Sequence, residues 1–259
     1  MNLSNERPPN RHENSKFCFS FSLQSRGVGA APILRTILRM STASVATINK
    51  EQRTRVSRLW TIWVLPCVGV AGYAIIRYLI MPPSQGHFSQ RLLLLQVHAT
   101  GGALALLTGP WQFWTWLRNT HREWHRELGR AFLLGVAASS AAGFILSFYS
   151  EEGWATHLGF GLLAAIWFWT AWMGYNAARA RRFHLHFEWM VRSFALALAA
   201  VTLRNELPLL LFLAHASFHA AYITVSWLCW VPNLIFAEWW LRRRVRSHAI
   251  DAVYLPVSR

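Results

Sequence analysis

Four histidines, His98, His125, His157 and His186, stand near the starts of four successive apolar segments. Imidazole is the commonest protein ligand for metals and a frequent one for haem iron, and a bilayer tolerates ionisable side chains mainly where they work. His98 and His157 belong to the second and fourth apolar segments, His125 and His186 to the third and fifth, so each pair comes from segments that run the same way. His98 lies 20 residues before Arg118 and His157 lies 22 before Arg179. At about 1.5 Å per helical residue, both sit roughly 30 to 33 Å from the cytoplasmic ends of their segments, in one outer layer. Two imidazoles at one depth make the bis-histidine ligation of a six-coordinate b-type haem. His98 and His157 are therefore the candidate metal ligands, with haem b as the cofactor. The competing reading makes them interfacial histidines hydrogen-bonded to backbone or water.

His125 and His186 form an inner pair, each in a His-x-Glu string followed shortly by arginine: His125-Arg126-Glu127 before Arg130, and His186-Phe187-Glu188 before Arg192. Their charged neighbours place them at the cytoplasmic interface, where a solvated histidine competes with a ligand. Their spacings to the outer histidines are similar, 27 residues from His98 and 29 from His157, a faint trace of a duplicated two-helix unit. Arg204 and Glu206 lie deep in the fifth segment, just before Pro208, which is expected to kink it. Arg204 falls in the outer layer and could hold a haem propionate or another anionic group; alternatively Glu206, or Glu238 and Gln112, satisfy it as interhelical glue. Arg77 is expected to snorkel.

Other chemistries are weaker. His121 with His125 and His215 with His219 are four residues apart, as chelating helical histidines are, and His184 and His87 could add to them. Membrane zinc hydrolases need acidic partners, however, and the single aspartate is Asp251, in the tail. The three cysteines, Cys18, Cys67 and Cys229, form neither CxxC nor CxxCH, which leaves disulfide frameworks, thiolate zinc and covalent haem attachment unsupported.

The elements that must carry these residues are membrane spans. The 259 residues are 54% hydrophobic, and six stretches reach the length a bilayer requires: Leu59 to Met81, Leu92 to Leu117, Ala131 to Tyr149, Trp154 to Ala178, Trp189 to Ala214 and Phe218 to Leu241. Their continuous apolar character, without a period of two, calls for helices and excludes a barrel. The expected fold class is all-α, a six-transmembrane-helix bundle over 56–246, after a disordered basic tail over 1–55 and before a cytoplasmic tail over 247–259. Small residues follow two of the histidines at helical spacing: Gly102, Ala105 and Gly109 after His98, Gly161 and Ala164 after His157. Such stripes admit a flat ligand or a neighbouring helix, and Gly135, Ser139 and Gly143 show the same pattern with no histidine.

Arginines cluster before the first segment, between the second and third, between the fourth and fifth, and after the sixth. The positive-inside rule then puts both termini in the cytoplasm, with the plasma (inner) membrane as the expected location. The net charge of +15 is spread over the tail and these loops, where it sets topology and attracts anionic lipid. It forms no basic patch on a soluble surface, so nucleic acid is not an expected partner. The 1–55 stretch carries no secretory signal. It could pass for an organellar transit peptide, or Met40 could be the true start.

Several strings together carry a resemblance: Gly109-Pro110-Trp111-Gln112-Phe113, His125-Arg126-Glu127-Leu128-Gly129-Arg130, Trp189-Met190-Val191-Arg192-Ser193, Val201-Thr202-Leu203-Arg204 and Asn233-Leu234-Ile235-Phe236-Ala237-Glu238. From about Leu92 to Arg243 the chain resembles an uncharacterised family of polytopic membrane proteins, domain of unknown function 2306, which implies a membrane domain and no particular reaction. In architecture it is also similar to cytochrome b561 proteins, whose two b haems are held by histidines of helices two and four and of helices three and five. That likeness implies a membrane electron carrier with His98, His157, His125 and His186 as ligands and a redox partner. It departs in placing His125 and His186 among charges at the membrane edge, about 30 Å from the outer layer by helix length. The rival class is a cofactor-free scaffold or transporter with a polar histidine and arginine interior.

Overall fold

The computed structural model describes residues 64–82 and 91–254, with side chains to Arg244. The expectations for 1–55, including a start at Met40, lie outside the described residues, as do His87 and the first residues of the first apolar segment. The described residues form helices and no strands. These are α1 (Val64–Ile80), α2 (Leu92–Gln112), α3 (Thr115–Thr120), α4 (Arg122–Ser147), α5 (Trp154–Arg179), α6 (Phe183–Ala197), α7 (Ala199–Phe212), α8 (Phe218–Leu228) and α9 (Val231–Tyr254).

Five helical stretches are long and apolar enough to cross a membrane: α2, α4, α5, α6 with α7, and α8 with α9. The described part of α1 is apolar but shorter. The outward faces carry large apolar side chains, with Leu93, Leu134, Trp154, Phe212 and Leu213 all more than two thirds exposed. A surface of that kind suits lipid rather than water.

Helix boundaries differ from the sequence expectation where polar residues extend a helix or proline interrupts one. Pro110 cannot donate to Leu106, and α2 ends two residues later instead of running to Leu117. The charged residues before Ala131 and Trp189 are helical, so His125 and His186 lie in the first turns of α4 and α6. The fifth span is interrupted at Leu198, while Pro208 lies within α7. The sixth is interrupted at Cys229–Trp230, because Pro232, the second residue of α9, offers no N–H to Leu228. The carbonyl of Cys229 is satisfied from the side instead, by Thr202 Oγ1 at 2.5 Å and Asn233 Nδ2 at 2.9 Å. Such side-chain repair is how broken helices survive in a bilayer.

The closest packing joins α2 and α4, which run antiparallel. A Cβ added to Gly101 would lie 2.7 Å from the Gly135 carbonyl oxygen and 2.9 Å from Ser139 N. The small-residue stripes on these two helices therefore face each other, so their role is helix contact. Gly109 makes room for the rings of Phe194 and Phe132, and Gly159 for Ser226 of α8. Phe132, Val136, Leu196 and Val225 form the most deeply buried apolar core.

Gly101→Leu should therefore destabilise the protein by about 1–3 kcal/mol or more, because the obstacle is backbone that cannot repack. Gly69→Ala, which meets nothing within 4 Å, should be neutral or slightly stabilising. Thermal unfolding of the two purified variants in one detergent checks the contrast; equal melting points would contradict it.

Candidate functional site

Each candidate histidine is held by a different piece of backbone. His98 reaches across from α2 to α4, where its Nδ1 donates to the carbonyl of Ser139 at 2.9 Å; the Ser139 hydroxyl in turn donates to the carbonyl of His98 at 2.8 Å. Gly143 lies under the ring: a Cβ there would be 2.8 Å from Nδ1 and 3.0 Å from Cε1. With Nδ1 committed as donor, Nε2 keeps its lone pair and has no hydrogen-bond partner among the described residues. This is the anchoring that metal-ligating histidines ordinarily have.

Arg204 belongs to the same neighbourhood, close enough for its charge to act on His98. One guanidinium nitrogen donates to the carbonyl of Ala200 at 2.8 Å, and the guanidinium lies over the Tyr73 ring at 5.4 Å. Its Nε is buried with no hydrogen-bond partner among the described residues. Glu206 does not satisfy it, and Glu206 Oε2 is itself buried and unpaired. Glu238 and Gln112, the other proposed partners, are engaged elsewhere, which overturns the expectation that they hold Arg204.

His157 is placed differently. Its Nε2 donates to the carbonyl of Ser150 at 2.7 Å, tying the first turn of α5 to the preceding loop. The nitrogen that usually binds haem iron is thereby occupied, and no contact joins this ring to His98.

At the opposite ends of the helices, His125 and His186 come near enough to interact electrostatically. The amide of Gln112, at the end of α2, is oriented so that its nitrogen donates to His125 Nδ1 at 3.0 Å and to the His125 carbonyl at 3.2 Å, while its oxygen accepts from Gly129 N at 3.2 Å. His186 Nδ1 donates to the carbonyl of Gly174 at 2.8 Å. Phe113 bridges the two groups by packing on Phe187 and Phe194. Since Gln112 marks the inner layer, 14 residues of helix separate it from His98. The layers are thus about 21 Å apart, closer than the 30 Å expected from an unbroken second helix. His215, in positive φ, and His219, which pairs with Glu152, form no common site. Among the described residues no three His, Cys, Asp or Glu side chains are placed to hold a metal.

An ion cluster that the sequence did not reveal lies between α6 and α9: Glu238, weighed there as a partner of Arg204, pairs with Arg192 instead. Arg192 makes two contacts with Glu238, Nε at 2.5 Å and Nη2 at 3.2 Å, and Glu188 lies 3.7 Å from Nη1. Trp189 stacks on the guanidinium at 4.8 Å. The one available signal was that Arg192 and Glu238 both fall within apolar segments rather than loops.

The family described as predicted membrane protein, DUF2306, matches residues 95–241. That span covers more than half of the chain, and the chain belongs to this family. No curated protein and no solved structure matches it.

Removing Arg192 leaves the half-buried Glu238 carboxylate without its partner. Arg192→Met should lower stability by about 1–3 kcal/mol, and Arg192→Met with Glu238→Met should recover much of the loss. Unfolding curves of the single and double variants measure the coupling; additive losses would show that the pair is not a unit.

Proposed function

We propose that this DUF2306 protein is a six-span membrane protein with both termini in the cytoplasm, and that it binds a b-type haem at His98 and transfers electrons in or across the membrane. The single observation that supports the cofactor most strongly is the setting of His98: Nδ1 donated to Ser139, Nε2 left open, and the unpaired Nε of Arg204 in the same neighbourhood. An open imidazole nitrogen suits iron, and an unpaired guanidinium donor suits a propionate. Haem would supply a one-electron couple. His98 would ligate it, Arg204 would hold its carboxylate, and the Ser139 carbonyl would keep the His98 ring in the required tautomer and orientation. His157 would become a second ligand only by giving up Ser150. An inner haem between His125 and His186 would likewise require Gln112 to release His125 Nδ1 or turn its amide.

A second reading, a cofactor-free scaffold or transporter, draws support from those same commitments of His157 and His125 and from the closed Arg192–Glu238 pair. The two readings separate in a spectrum. Protein purified from haem-replete cells should show a sharp α band on reduction with dithionite, lost in His98→Ala and displaced or weakened in Arg204→Gln. A featureless spectrum from folded protein would leave the cofactor-free reading.

Topology has its own check. A fluorescent protein fused after Arg259 should be bright, and alkaline phosphatase fused there should be inactive. The reverse pattern would place the C-terminus outside.

A further inference from the structure

A cleft of about 430 Å³ opens beside the ion cluster, lined by Ile166, Trp169 and Thr170 of α5, Leu185, Glu188, Trp189 and Arg192 of α6, and Leu234 and Glu238 of α9. Its walls are apolar and aromatic, with Trp169 56% exposed, and its floor is charged. Arg192 is closed on Glu238 by two hydrogen bonds. Glu188 is held more loosely, by ion pairs with His184 Nδ1 at 3.5 Å and Arg192 Nη1 at 3.7 Å. Two carboxylates, Glu188 and Glu238, face the single guanidinium of Arg192, and Arg242 acts on Glu238 from the end of the span. Aromatic faces beside a carboxylate attract organic cations.

The position of the cleft narrows the ligand further. Glu188 lies in the second turn of α6, and Glu238 lies one turn before Arg242, so the charged floor falls where the apolar spans meet their arginine-rich ends. Ile166 and Leu234 continue the wall toward the middle of the spans. A molecule with a cationic head and an apolar tail would place its head on Glu188 beside the exposed Trp169 ring and lay its tail along these residues. An anionic head would meet the spare carboxylate, and Arg192 has its best donors already engaged.

We infer that the cleft between α5, α6 and α9 binds a cationic amphiphile, an alkylamine or quaternary alkylammonium, through Glu188 and Trp169. The site is separate from His98 and does not depend on haem. Protein reconstituted in phosphatidylglycerol vesicles, which contain no amine headgroup, would be titrated with radiolabelled decyltrimethylammonium against protein-free vesicles. Saturable binding of about one per chain is expected, unchanged in His98→Ala and not displaced by decyl sulfate. Glu188→Gln should weaken it about tenfold, the effect of losing one charge-assisted contact. Trp169→Leu, on the exposed wall and outside the ion cluster, should weaken it several-fold while leaving the melting point unchanged. Uptake that never saturates, or equal binding by wild type and both variants, would overturn the site. Saturable binding of decyl sulfate in its place would show Arg192 to be the recognising group and overturn it equally.

Discussion

The close approach of α2 to α4 at Gly101 and Gly135 is the constraint on which the candidate site depends. Backbone meets backbone there, and with no side chain between them the two helices have a single register. Toward the N-terminal end of α2 that register sets His98 on Ser139 and over Gly143. Toward its C-terminal end the same register brings Gln112 onto His125 and Gly129. His98 and His125, one histidine of each layer, are thus positioned by one contact between small residues. Lipid is as apolar as a leucine side chain, so such packing, rather than hydrophobic sequestration, holds helices together in a membrane.

Within that frame almost every polar group finds an internal partner, as a bilayer demands. Thr100, Thr108 and Thr202 donate back to carbonyls of their own helices, and the break before α9 is closed by Thr202 and Asn233. The exceptions are informative. Buried atoms without partners include Arg204 Nε and Glu206 Oε2, both on α7, together with Ser140 Oγ, Ser193 Oγ and Trp167 Nε1. An unpaired guanidinium nitrogen is more costly than an unpaired hydroxyl, which singles out Arg204 on α7, although Thr202 and Asn205 of the same helix are satisfied.

How much was legible in the sequence follows from the range of each signal. Span positions are a property of local composition, and α5 falls almost where the apolar run placed it. Helix ends depend on whether charged residues propagate a helix beyond the hydrocarbon, which composition does not reveal; hence the earlier starts of α4 and α6. The small-residue stripes were visible, but which stripe faces which is a tertiary matter, and facing stripes proved to be helix contact. Histidine identity was visible, yet tautomer is decided by a carbonyl 41 residues away for His98 and only seven away for His157. Nothing in the two local sequences separates those cases.

The two ends of the bundle differ in a way that bears on their roles. At the arginine-rich end the central cation is closed: Arg192 has Glu238 at hydrogen-bond distance and a tryptophan face beside it. At the other end Arg204 Nε is a buried donor, and His98 Nε2 an open nitrogen, with no hydrogen-bond partner among the described residues. A satisfied ion pair holds α6 to α9 and needs no ligand to justify its burial. A buried guanidinium N–H that makes no hydrogen bond costs free energy, whereas the open nitrogen of His98 lies on an exposed residue. The asymmetry gives Arg192 and Glu238 a structural role in joining α6 to α9, and it is the ground on which the proposed cofactor is assigned to His98 and Arg204 instead.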